Sequence, residues 1–179
     1  MKGQTRGGKE IPVLESERLR LRGHRPSDFE DSAALWADEE VTRYIGGKPF
    51  TREEVWARLL RYAGHWAWMG YGFWVVEEKA SGKFIGEVGY ANHKRDIQPP
   101  LMDMPELGWV LATSVHGRGY ATEAVRAAMS WGDARFGNQK TFCIIDPENV
   151  RSIRVAEKCG FKETWRTSYK DEPTVVFVR

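Results

Sequence analysis

The sequence predicts an α/β fold, a mixed sheet flanked by helices. Three observations predict it. Strand-like and helix-like apolar patterns alternate along the chain. A strand-helix-strand unit runs from Glu106 to Asp146, and "TFCIID" is nearly unbroken in apolarity, as befits a strand covered on both faces. The 179 residues suffice for one hydrophobic core closed without disulfide or metal. Lys plus Arg (27) nearly balances Asp plus Glu (25), which argues against a dedicated nucleic-acid binder.

From the start, residues 1–13 are rich in Gly and Lys, without periodicity, and are expected to form a flexible arm before a single domain over 14–179. "RLRLRG" (18–23) alternates charge and leucine, a strand with one wet face. "PSDFEDSAALWAD" follows as a helix with Ser27 as its expected cap. A second helix opens at Thr51 with Glu54 three residues on, a capping-box spacing, and its apolar face carries Val55, Leu59 and Tyr62. "YGFWVVEEKASGKFIGEVGYAN" reads as a hairpin turning at Ser81-Gly82, and "ELGWVLA" as the next strand. Ala121, Ala124, Val125, Ala128, Met129, Gly132 and Phe136 lie on one stripe of a helix ending near Gly137. "NVRSIRVAEKCGF" is a short helix stopped at Gly160, and "EPTVVFVR" a terminal strand.

Between the central strand and its helix stands "SVHGRGYATEA" (114–124). A Gly-Arg-Gly turn entering a helix leaves several N–H groups unpaired and pointing one way, a nest for anions. A Walker loop requires G-x-x-x-x-G-K-[ST], which is absent. A dinucleotide fingerprint fails because Thr122 stands in place of the third glycine, and too little chain follows to complete such a sheet.

The stretch "ELGWVLATSVHGRGYATEAVRAAMSWGDARFGNQKTFCIIDPENVRSIRVAEKCGF" resembles the coenzyme-A-binding half of the GNAT superfamily of N-acetyltransferases. It is nearest the branch that includes ribosomal-protein and antibiotic N-acetyltransferases, and the likeness extends to "LESERLRLR". The resemblance implies the GNAT acyl-CoA N-acyltransferase fold, a twisted mixed sheet of six to seven strands with about four helices. In it the strand at Glu106 splays from its parallel neighbour. It also implies that Gly117, Arg118, Gly119, Tyr120, Ala121 and Thr122 hold the pyrophosphate of acetyl-CoA. Val110 and Leu111 would present main-chain groups to the pantetheine arm, and Asn149 and Ser152 would point into the same cleft.

An amine of pKa ~10 must lose a proton before it attacks a thioester. The resemblance assigns that task to Glu106, through water. The tyrosine that many relatives use to protonate the leaving thiolate is replaced here by Ala156, which leaves the Ser152 hydroxyl near the sulfur; Asn149 completes the expected catalytic set. Structural roles compete: Asn149 as a helix cap, Glu106 as an ion-pair partner. The aromatic run "HWAWMGYGFWVV" is core packing, with Trp36 and Tyr44 as walls of an acceptor pocket, and His65, His93 and His116 are surface or packing residues.

The expected activity is transfer of an acetyl group (not an aminoacyl group) from acetyl-CoA to a primary amine of a protein N-terminus or small molecule. It proceeds by direct attack in a ternary complex. The rival is a non-catalytic acyl-CoA-binding sensor. The two cysteines lack metal or redox spacing, so no metal is expected. Without an apolar leader or a run of ~20 apolar residues, the chain is expected in the cytoplasm. Its partners are then acetyl-CoA and an amine acceptor, with no membrane or nucleic acid, as monomer or homodimer.

Overall fold

The computed structural model describes residues 10–101 and 104–179. Among these residues eight strands form one sheet: β1 (Leu14–Glu15), β2 (Leu19–Arg22), β3 (Phe73–Glu78), β4 (Phe84–Ala91), β5 (Glu106–Leu111), β6 (Phe142–Ile145), β7 (Lys162–Tyr169) and β8 (Glu172–Val178). Their spatial order is β1-β2-β3-β4-β5-β6-β8-β7. Among the described residues five α-helices accompany them: α1 (Phe29–Ala37), α2 (Glu39–Thr42), α3 (Arg52–Met69), α4 (Tyr120–Phe136) and α5 (Val150–Lys158).

The strand count exceeds the expected six to seven because Leu14 and Glu15 pair with Leu21 and Arg20, and because "KETWRTSY" closes the sheet edge as β7. The extra helix is α2, a single turn after Asp38, whose carboxylate accepts from Glu40 N–H at 2.9 Å. Ser27 does not cap α1: it lies in a 3-10 turn, and the Asp28 carboxylate that follows is held by Arg22 at 2.8 Å. The capping box at Thr51 and Glu54 forms, with reciprocal bonds of 3.2 and 2.7 Å. Residues 1–9 of the expected arm lie outside the described residues. At its end Ile11 packs on the core, and the Pro12 carbonyl accepts from Trp74 Nε1 at 2.9 Å.

Helices cover both faces. The predicted stripe of α4 is buried through Ala124, Val125 and Ala128, in one cluster with Trp74, Val88 and Tyr90. Gly132 sits in that stripe because a Cβ there would lie 2.4 Å from the Tyr90 hydroxyl. On the opposite face Val55 and Leu59 of α3 join Leu35 and Trp36 of α1 against Val110. Complete burial of each such aliphatic side chain contributes about 1.5–3 kcal/mol.

The central pair determines where a ligand fits. β4 and β5 are antiparallel over six register pairs, from Gly86↔Leu111 to Ala91↔Glu106. β5 and β6 are parallel, but their register is the single pair Glu106↔Phe142. The two strands therefore meet at their starts and part toward their carboxyl ends, the splay that the resemblance implies.

Candidate active site

At the parted end, β5 runs into the Gly-rich turn. Gly117 (φ +75°) and Gly119 (φ +78°) both occupy the left-handed region, which side chains resist and glycine accepts. Gly119 stands at the N-cap of α4, and no side chain caps that terminus. Main-chain donors of the turn and first helical residues are thus left for an acceptor from outside, with the positive end of the helix dipole behind them.

The turn is pinned from beneath. Tyr120 is buried, and its hydroxyl donates to Glu78 Oε1 at 2.6 Å. Arg118 Nη2 bonds the Tyr120 hydroxyl at 2.9 Å and Glu78 at 3.3 Å, so this guanidinium is turned to β3. The Tyr120 hydroxyl, then Ser81 and Arg118, hold the Glu78 carboxyl below its usual range. Arg18, paired with Glu123 at 2.6 Å, donates to the Arg118 carbonyl at 3.0 Å. Arg118 and Tyr120 thus use their side chains to brace the turn, whereas Ala121 and Thr122 bring main-chain groups.

The phase of the β4–β5 ladder decides which groups of β5 face the opening. Ala112 N–H donates to Ile85 O at 2.9 Å. Main-chain direction alternates along an antiparallel strand, so Val110 also bonds toward β4, while Trp109 and Leu111 point theirs to the β6 side. Leu111 thus keeps its main-chain groups on the β6 side, where Trp109 joins it, while those of Val110 serve the ladder with β4. Strand parity in "ELGWVL" carried the signal, but only a ladder bond sets the phase.

Leu111 O accepts from His116 Nε2 at 3.0 Å, and Arg151 Nη1 donates to His116 Nδ1 (3.1 Å) and to Glu40 (2.8 Å). This chain draws the start of α5 toward the turn. There Asn149 Oδ1 accepts from Ser152 N–H at 3.2 Å, the structural role weighed for it. The Ser152 side chain is half-buried, and its hydroxyl has no hydrogen-bond partner among the described residues.

Glu106 lies at the opposite end of β5 from the turn. It begins β5, four residues or about 13 Å before Val110 along the strand, and shares that face with Gly108 and Val110 toward α3. It is 6% exposed, and both its oxygens are taken by Arg95, from Nε at 2.5 Å and Nη2 at 2.6 Å. Burial opposes the Arg95 cation, but the hydrogen bonds it donates to Glu106 prevail and raise its pKa. Arg95 was invisible as a partner in the sequence because a loop brings it back over β5.

A second acid went unnoticed in the sequence. Glu87 of β4 lies opposite Val110 in register and is completely buried. Ser32 Oγ (3.0 Å), Trp36 Nε1 (3.1 Å) and the Tyr62 hydroxyl (2.9 Å) donate to it, and His24 Nε2 lies 3.4 Å away. Burial works against its charge, but His24, Tyr62 and Arg58 overcome this and hold its pKa below the ordinary value. Both cysteines are buried, which pushes their thiols up and keeps them protonated. Among the described residues no cluster of three or more His, Cys, Asp or Glu is able to hold a metal ion. No helix among them is long and apolar enough to cross a membrane.

A sheet that parts beside an uncapped, glycine-led helix is the framework of acyl-CoA acyltransferases, and the comparison with known proteins agrees. Residues 18–162 match the family model of the acetyltransferase (GNAT) domain, and the chain belongs to that family. The uncharacterized protein YkkB of Bacillus subtilis (strain 168) is 33% identical over 172 residues, 93% of this chain and 94% of that one. The crystal structure of the acetyltransferase from Agrobacterium tumefaciens str. C58 superposes with a TM-score of 0.82 at 27% identity, covering 99% of both chains. A spermidine N-acetyltransferase from Vibrio cholerae, solved with CoA and spermine, shares the fold at 18% identity (TM-score 0.71; 92% of this chain, 96% of that one).

Proposed function

We propose that the chain, as one domain over residues 14–179, is a cytoplasmic N-acetyltransferase that uses acetyl-CoA and belongs with the ribosomal-protein and antibiotic branch. One observation carries the reading: the uncapped main-chain donors of Gly117 to Thr122 stand at the parted end of β5 and β6. A diphosphate fits such donors, and a pantetheine arm, with its own amides, fits the free edge at Trp109 and Leu111.

The thioester then lies along β5 with the start of α5 beside it. Asn149 shapes that helix start, and the Ser152 hydroxyl is placed to hydrogen-bond the departing sulfur. A main-chain N–H of β5 stabilises the oxyanion formed on attack. Glu106 acts on the amine proton through water, because Arg95 holds both its oxygens. Protonated, buried thiols support direct attack by the amine over an acyl-cysteine intermediate.

The test is incubation with acetyl-CoA and a panel of amines while free thiol is followed. Amine-dependent thiol release with formation of the N-acetyl product is expected. Tight binding of acetyl-CoA without turnover on any amine establishes the sensor reading instead, and absence of binding in calorimetry sinks both.

A further inference from the structure

The helix α3 has two apolar faces. Val55, Leu59 and Tyr62 bury the inner one against the sheet. On the side that looks away from the sheet, Trp56, Leu60, Ala63, Gly64, Ala67 and Trp68 fall at i, i+4, i+7, i+8, i+11 and i+12, one continuous stripe. A helix lying on a core ordinarily presents polar residues there. Here Trp68 is 90% exposed, Leu60 55% and Trp56 42%. The polar side chains of the same stretch turn aside: Arg58 lies over the Trp36 and Phe50 rings, His65 bonds the Asn92 main chain, and Arg61 only borders the stripe.

A separate observation shows that something approaches this face closely. Gly64 stands in the middle of the helix, where glycine is less stable than alanine. It does not adopt a positive φ, and a Cβ built on it would meet nothing within 4 Å. Nothing among the described residues therefore requires glycine at this position. It leaves a hollow in the stripe, one helical turn from Leu60, of the kind that a side chain from another surface fills.

Two copies of the chain complete each other here. With two α3 helices antiparallel about a two-fold axis level with Tyr62, Leu60 faces Gly64 of the partner subunit and Trp56 faces the partner's Trp68; symmetry repeats both contacts. The leucine fills the hollow, Ala63 and Ala67 let the main chains come near, and the helix dipoles run in opposite directions. A parallel pairing sets leucine on leucine and leaves the hollow facing itself. Because an indole buries up to about 250 Å², the two tryptophans at these exposures offer about 330 Å² per copy. Leu60 and the alanines bring the total for two copies to about 1,000 Å², enough for a specific interface of modest affinity. A lipid surface fits less well: helices that lie on membranes have a border rich in Lys and Arg, whereas Glu53 and Glu54 stand beside Arg52 and Arg61 here.

We propose that the outer face of α3 is the interface of a homodimer, in which the two helices pack antiparallel with Leu60 seated over Gly64 of the partner subunit and Trp56 against the partner's Trp68.

The experiment is sedimentation velocity of the full chain between about 1 and 100 µM, with half-association expected near about 10 µM for an interface of this size. Trp68→Glu changes a side chain that is 90% exposed, so circular dichroism should be unchanged while association weakens by about 100-fold or more. Gly64→Leu fills the hollow and should weaken association as much, yet raise the melting temperature of the dilute monomer, because leucine favours the helix. Mild oxidation reads the register. A mixture of Leu60→Cys and Gly64→Cys chains should cross-link between unlike chains, whereas neither alone should, since like positions are offset by about 6 Å along the helix axis and lie beyond disulfide reach. The native Cys143 and Cys159 are buried and do not compete. A chain that stays monomeric at about 100 µM overturns the inference, as does a dimer that survives Trp68→Glu or cross-links between like positions. A monomer that co-sediments with phosphatidylglycerol vesicles assigns the stripe to lipid and overturns it too.

Discussion

Replacing Glu87 with alanine tests whether the buried carboxylate holds α1 and α3 onto the sheet beside β5. The substitution strands three donors, Ser32 Oγ, Trp36 Nε1 and the Tyr62 hydroxyl, which now reach it at 2.9–3.1 Å. A buried donor left without a partner costs about 1–3 kcal/mol, and the side-chain void adds to this. A loss of about 4–5 kcal/mol is expected, near the upper end for a single substitution. At about 2–4 °C per kcal/mol for a chain of this size, the melting temperature should drop by about 8–20 °C. Glu87→Gln retains an acceptor for Trp36 and Tyr62 and should lose about half as much. Because the folded pKa of Glu87 lies below the ordinary value, its stabilisation is fully present above the ordinary glutamate range and is lost as pH falls through the depressed value. Glu87→Gln should therefore flatten the acid limb of stability against pH, read from urea midpoints. A loss below about 2 kcal/mol for Glu87→Ala, or an unchanged acid limb, would refute the reasoning.

Three further outcomes are expected. Gly119→Ala places a side chain at φ +78° without a clash, its nearest contact being Arg18 Nη2 at 3.6 Å; strain of about 1–2 kcal/mol should weaken acetyl-CoA in calorimetry while circular dichroism stays unchanged. Gly89→Ala is more severe: its Cβ would lie 2.3 Å from Gly72 O and 2.4 Å from Phe73 Cα, and main chain cannot yield as a side chain does. A loss of about 3 kcal/mol in urea unfolding is expected. Thr51→Ala removes the capping box of α3 and should cost about 1 kcal/mol in the same measurement.

Much of the fold was legible because its signals are local. The stripe of α4, the cap at Thr51, the turn at Ser81-Gly82 and the crossover each depend on residues within a few positions of one another. β1 escaped notice because two residues carry no periodicity, and Ser27 misled because the neighbouring Asp28 was claimed by Arg22, a partner set by the route of the chain. At the site, the Gly-Arg-Gly turn could be read directly, since positive φ demands glycine. Val110 and Trp109 look alike in the sequence because both are apolar, and only the phase of the ladder separates them. Glu106 was legible as an acid on the central strand, but its clamping by Arg95 was not.

The amino-acid sequence alone determined the order of elements, their buried faces and the anion-ready turn, all of which follow from short-range periodicity and backbone preference. Tertiary structure decided what each charge meets. Glu87 found its donors on two helices and Glu106 found Arg95, because electrostatic partners are chosen by distance in space and burial strengthens whichever pairing the fold brings together.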